Sequence, residues 1–210
     1  LPREREIIIM LPKAFDDLIE ALGSLPGVGP RTAERYAWAL FKRPEAKLKD
    51  LSESISSLHE RVKLCPKTFA LISEDEDVSE LYSDDRRDKK VVMVVEQPFD
   101  IIPLEKTSKF NGTYHVLGGA ISPIDGINAS DLKIAELIQR VKEDEVEELI
   151  LATNANVEGE STALFIQKML EDAKLNVKMT RLARGLPTGV DLAYADQITL
   201  AHAFDGRKEF

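Results

Sequence analysis

The amino-acid sequence predicts an α/β protein, multidomain and α+β overall, and three observations carry that prediction. From residue 13 to about residue 64 the apolar residues recur at helical spacing. Between residues 65 and 90 that spacing disappears and the chain turns acidic, with Glu74-Asp75-Glu76-Asp77 and Asp84-Asp85. From Val91 onward, short apolar runs of strand chemistry alternate with amphipathic stretches, as in an open, mainly parallel sheet with helices on its faces.

Each element has its own signal. Phe15, Leu18, Ile19 and Leu22 share one helix face, and Gly23 ends that run. Ala33, Ala37, Leu40 and Phe41 form a second helical face, stopped by Pro44. Leu48, Leu51, Ile55, Leu58 and Val62 predict a third helix with one apolar stripe. Residues 65–90 read as a compact loop or linker module. Residues 91–95 predict a strand buried on both faces, 114–117 a short second strand, 149–152 a third and 177–182 a fourth. Helices are expected over 131–141, 161–170 and 194–204. Met10-Leu11-Pro12-Lys13 makes a natural start, so residues 1–9 are expected to be an upstream extension or an expression remnant.

The 210 residues carry 28 Lys and Arg against 37 Asp and Glu, a formal net charge of −9. With 43% hydrophobic and 31% charged residues, the composition is that of a globular chain, neither disordered nor fibrous. No apolar run approaches the ~20 residues of a membrane-spanning helix, and residues 7–11 are too short for a signal-peptide core. The single cysteine, Cys65, excludes an internal disulfide and an all-cysteine zinc site within one chain. The expectation is an acidic cytoplasmic protein whose global charge argues against nucleic acid.

Local sequence argues the other way. In Leu25-Pro26-Gly27-Val28-Gly29-Pro30, followed by Arg31-Thr32-Ala33-Glu34-Arg35, two glycines flank one apolar residue between two helical patterns. Glycine permits a tight turn and lets backbone N–H groups approach a ligand, and Pro30 presets the first helical turn. The positive helix end and the free amides then face one spot, an anion site suited to phosphate. Arg31 and Arg35 lie four apart on one face, so Gly27, Gly29, Arg31 and Arg35 are the candidate DNA-binding residues. From Arg31 to Lys49 there are six basic residues and two acidic, a local net of +4. The competing readings are a plain interhelical turn and a solvated basic face. The motif resembles the helix-hairpin-helix, a DNA-backbone binder without sequence preference.

A second signal is Leu149-Ile150-Leu151-Ala152-Thr153-Asn154-Ala155-Asn156-Val157-Glu158-Gly159-Glu160, a buried strand running into a polar turn and a helix. Glu96 ends the strand over 91–95, which puts both at the carboxyl edge of the sheet, where such folds bind ligands. This region resembles the Toprim domain, in which a strand-end glutamate and a D-x-D followed by E-G-E hold Mg²⁺. Glu96 and Glu158-Gly159-Glu160 match that pattern; Asn154 and Asn156 replace its two aspartates. Mg²⁺ wants charged oxygen ligands, and two-metal phosphoryl transfer needs closely placed carboxylates. No tyrosine is placed as a strand-cleaving nucleophile, so no catalytic residue is expected. The alternative is a divergent Mg-dependent nuclease or topoisomerase-like enzyme.

Together with residues 113–127 and 181–189, these motifs resemble the RecR family of bacterial recombination mediators over residues 11 to 207. The resemblance implies a helix-hairpin-helix domain over 10–64, a zinc-finger-like segment over 65–90, a Toprim domain over 91–182, and a C-terminal segment over 183–210 that packs on Toprim or on a neighbouring subunit. It also implies a non-enzymatic, nucleoid-associated role in recombinational repair. In that role the protein acts with RecO, and with RecF in many bacteria, to load RecA onto gapped DNA as a homodimer or ring-shaped homotetramer. Glu96, Asp100 and Glu158 would contact RecO or hold Mg²⁺ weakly. The family's four zinc cysteines correspond here to Cys65, Thr68, Ser79 and Tyr82. One thiolate and no histidine cannot make a tetrahedral structural site, so zinc is expected to be absent and the finger degenerate. Packing around Phe69, Leu71, Ile72, Val78, Leu81 and Tyr82 is then expected to replace it. His59, His115 and His202 show no metal or triad spacing, and Tyr36 and Trp38 read more readily as helix packing than as base stacking.

Overall fold

A computed structural model of the chain describes residues 11–207; the expected extension over 1–9 lies outside them. The chain divides into two compact units, Leu1–His59 and Glu60–Phe210.

The first unit is helical: α1 (Lys13–Gly23), α2 (Pro30–Phe41) and α3 (Glu45–Ser56). The fully buried Ala33 and Ala37 let α2 lie close to α1, and Phe15 meets Phe41 edge to face at 6.1 Å. The stripe from Leu48 to Val62 is not one helix. α3 stops at Ser56, α4 (Leu58–Arg61) follows, and Val62 opens a strand. The Ser54, Ser56 and Ser57 hydroxyls bond back to the carbonyls of Asp50 and Glu53, an arrangement that competes with helix continuation.

In the second unit, β1 (Val62–Leu64) pairs antiparallel with β2 (Leu71–Ser73), and α5 (Glu80–Ser83) follows, capped by the Ser79 hydroxyl. Residues 65–90 thus carry regular structure that their sequence does not announce, because strands of three residues are too short to show a period. The main sheet contains β3 (Asp88–Val95), β4 (Gly112–Val116), β5 (Glu148–Leu151) and β6 (Lys178–Arg181), all parallel, in the order β4-β3-β5-β6. Around it lie α6 (Ile101–Lys106), which the sequence reading did not anticipate, α7 (Ile134–Glu143), α8 (Val157–Asp172) and α9 (Gln197–Asp205).

β3 is buried on both faces, as its apolar run requires. Val92 and Val94 join Leu149, Leu151, Leu137, Val141, Ile166 and Leu170 in one core, while Met93 and Val95 join Ala70, Ile101, Tyr114 and Val116 in the other. Each fully buried aliphatic side chain contributes about 1.5–3 kcal/mol. The central strand therefore anchors both layers, and its carboxyl end is held in place. No helix among the described residues is long and apolar enough to cross a membrane.

Candidate functional site

The turn between α1 and α2 is built by local chemistry. Val28 N–H donates to the Leu25 carbonyl at 3.1 Å, with Pro26 and Gly27 between them. Gly27 has φ +78°, the conformation a type II turn demands at its third residue, so a side chain there is strained whatever the space. Gly29 is extended at φ −80° and precedes Pro30 at the first helical position. The Thr32 and Ala33 amides bond to the Gly29 carbonyl, whereas those of Gly29 and Arg31 make no hydrogen bond among the described residues. Arg31 and Arg35 are exposed on the same helix. An open concavity of about 420 Å³ is lined by Gly29, Pro30, Arg31 and Thr32. The larger hollow of this unit, about 650 Å³, lies elsewhere and is almost wholly apolar, lined by Phe15, Leu18, Phe41, Leu48, Leu51 and Ile55 among others; it offers nothing to a phosphate.

At the carboxyl edge of the sheet the structure brings Glu96 and Asn154 together. The Asn154 backbone N–H donates to Glu96 Oε1 at 2.7 Å, and its Nδ2 donates to Oε2 at 2.6 Å. Glu96 is buried, and both its oxygens are engaged by one neutral residue. Asn156 caps α8, its Oδ1 accepting from Gly159 N–H at 2.9 Å. Gly159 has to be glycine, because a Cβ there would collide with the Asn154 carbonyl oxygen. Asp100 accepts from Gln97 N–H at 2.7 Å in a capping box. Glu158 sits in the first turn of α8, and Glu160 is paired with Arg181 and Arg184. Among the described residues no group of three or more His, Cys, Asp or Glu is placed to hold a metal ion. The Toprim Mg²⁺ does not fit this donor set, since a metal would have to displace both Asn154 hydrogen bonds and find charged partners that are not gathered there.

The four positions that the resemblance sets against zinc cysteines are committed to other bonds. Cys65 is fully buried, and its Sγ accepts from Thr68 N–H at 3.4 Å and Ser79 N–H at 3.3 Å. Burial pushes this thiol up, but the hydrogen bonds from Ser79 and Thr68 outweigh it and leave it below its ordinary value. Tyr82 turns to α7: its hydroxyl donates to Asp144 Oδ1 at 3.0 Å, and the Arg140 guanidinium lies 5.1 Å from its ring centre. Arg140, itself buried, donates to Asp144 Oδ2, the Tyr114 carbonyl and Thr113 Oγ1 at 3.0, 2.6 and 2.6 Å. One sulfur and three positions without an imidazole or thiol do not fit zinc. Of the apolar residues expected to replace the metal, Ile72 is buried and Phe69 and Leu81 pack on the core, but Leu71 is exposed. Sequence reasoning missed Arg140 altogether; a cation beside an apolar stripe signals burial only when its partners are known.

A helical hairpin closed by a Pro-Gly turn, in one chain with a four-stranded parallel sheet, is the architecture expected of a helix-hairpin-helix plus Toprim protein. Residues 15–59 match the RecR helix-hairpin-helix, 90–183 the Toprim domain and 185–208 the RecR C-terminal region. Recombination protein RecR of Moorella thermoacetica is 50% identical over 198 residues, covering 94% of this chain and 98% of that protein. The RecR proteins of Tropheryma whipplei and Streptomyces coelicolor are 44% and 45% identical over 199 residues, each covering 95% of this chain and 98% of the relative. The chain belongs to the RecR family of recombination proteins.

Proposed function

We propose that this chain is a non-enzymatic DNA-binding recombination mediator, acting in the cytoplasm at the nucleoid. It binds gapped or single-stranded DNA and works with RecO, and with RecF where that protein is present, to help load RecA. The observation that carries this reading is the start of α2, where two unbonded amides, the helix dipole, Arg31 and Arg35 converge in an otherwise acidic chain. The Glu96–Asn154 pairing supports a non-catalytic role, because the carboxylate that would hold a metal is already satisfied. Asp100 and Glu158, at the same edge, are the acids left to meet RecO. A homodimer or homotetramer is supported by α1 and α3, which bury no residue fully and leave the apolar hollow open.

The test is DNA affinity across a salt series. Each phosphate contact removed flattens the slope of log K against log salt by about 0.9 on duplex and about 0.7 on single strands. Arg31→Ala with Arg35→Ala is therefore expected to flatten it by roughly twice that amount, irrespective of sequence. An unchanged slope would remove the hairpin as the site. Mg²⁺-dependent nicking of supercoiled plasmid that is lost in Glu96→Ala would instead establish the nuclease or topoisomerase alternative.

A further inference from the structure

We infer that α2 carries, beyond the hairpin turn, a base-stacking site for single-stranded nucleic acid centred on Trp38; this rests on the DNA-binding reading above. The argument starts from helical register. Arg31, Arg35, Trp38 and Lys42 stand at i, i+4, i+7 and i+11, a spacing that places all four along one strip of a helix surface. Ala33 and Ala37, on a different side of the same helix, are the residues that pack inward. All four strip residues are exposed, Trp38 to 52%; one acid, the exposed Glu34, borders the strip between Arg31 and Trp38, leaving three cations to one carboxylate along it. A large indole left half in water on a helix whose packing face is made of alanines is not explained by core packing within this unit.

The local geometry favours a flat aromatic ligand partner. The Trp38 ring is stacked on Phe41, with centroids 5.7 Å apart and planes within 13°, which braces the indole against rotation. The Lys42 ammonium lies 4.7 Å from the Trp38 ring centre. That cation rides on a flexible stem and moves to a phosphate as a base takes its place on the ring. The strip therefore reads, from the helix start, as phosphate anchor, phosphate anchor, stacking surface and a further cation. This is the combination that binds single strands without sequence preference. A duplex keeps its bases stacked on one another and presents only phosphates to such a strip, so Trp38 distinguishes the two forms whereas Arg31 and Arg35 do not.

Trp38 is the only tryptophan in the chain, so its fluorescence reports on this site alone. Titrating the full-length protein with an oligothymidylate is expected to quench that emission, and a duplex of equal length, bound at low salt, is expected to quench it far less. In anisotropy measurements Trp38→Ala should weaken single-strand binding by about 5- to 150-fold, the size of one base-stacking contact. Duplex affinity should change less than about twofold, and Trp38→Phe should restore most of the single-strand affinity. Should Trp38→Ala fail to fold, the wild-type quenching and the Trp38→Phe affinities carry the test. Saturating single-strand binding without quenching, or an equal loss on both DNA forms, would overturn the inference while leaving the hairpin reading intact. Absence of binding to either form would overturn the DNA-binding reading itself.

Discussion

His115 illustrates how a buried residue away from the candidate site can govern behaviour. It lies in β4, fully buried, with Nε2–H donating to the Lys133 carbonyl at 2.7 Å and Nδ1 without a partner among the described residues. Burial pushes its imidazole down to about 4, so the folded protein holds it neutral. An unfolded chain takes up that proton near pH 6.5, and between about 6.5 and 4 it binds more protons than the native state. Stability therefore falls as pH drops through that window, by up to ~1.4 kcal/mol per pH unit. Urea midpoints measured from pH 7 to 4.5 should show this decline, and His115→Gln, which keeps a donor but cannot titrate, should flatten it. Tyr82 is a second such residue. Losing its hydroxyl in Tyr82→Phe leaves the nearly buried Asp144 with one partner fewer, at an expected cost of about 1–3 kcal/mol. Asp144→Ala should cost about 3–5 kcal/mol, because it strands the Arg140 charge in the interior. If the Tyr82 network replaces zinc, exhaustive chelation leaves the melting temperature unmoved. One zinc per chain in elemental analysis would refute that.

At the scale of elements, the turn from β5 into α8 concentrates the constraints. Asn154 clasps Glu96, Asn156 caps the helix, and Gly159 admits the close approach of the Asn154 carbonyl. Asn156→Ala removes the cap and should lower stability by about 1 kcal/mol, read from chemical denaturation. Asn156→Asp keeps the acceptor and adds a charge that suits a helix N-terminus, so it should be neutral or mildly stabilising. This pair of outcomes separates a capping role from a metal-ligating one, since Mg²⁺ should alter neither variant's stability. The elements themselves were unevenly legible. α1, α2 and the double-sided burial of β3 follow from periodicity, whereas α6, β1 and β2 do not. A six-residue helix containing Pro103 and strands of three residues span too few positions for a period to emerge.

For the whole molecule, the net charge of −9 coexists with a basic stretch of +4 beginning at the hairpin, so binding to DNA is expected to depend on local field and not on overall sign. The apolar hollow of the helical unit belongs to this scale too, because a monomer gains nothing by leaving it in water. Ile55 lines it and is 67% exposed. If a second copy covers this face, Ile55→Glu should shift the mass measured by light scattering toward the monomer with the helical circular dichroism unchanged. An unaltered mass would place the oligomer contact elsewhere.

The sequence by itself determined α1 and α2, the four strands of the main sheet, the hairpin turn, and the family, because these rest on short-range chemistry: a Pro-Gly turn, a helix start, a strand buried on both sides. It also disclosed that two aspartates and three cysteines of the related patterns are missing. What replaces them was decided only by the tertiary structure. Glu96 and Asn154 are 58 positions apart, and Tyr82 and Asp144 are 62 apart. A hydrogen bond depends on distance and direction in space, and neither is encoded in the identity of two residues so far separated along the chain. The same holds for Arg140, whose burial is explained only by the carbonyl, hydroxyl and carboxylate that folding gathers around it.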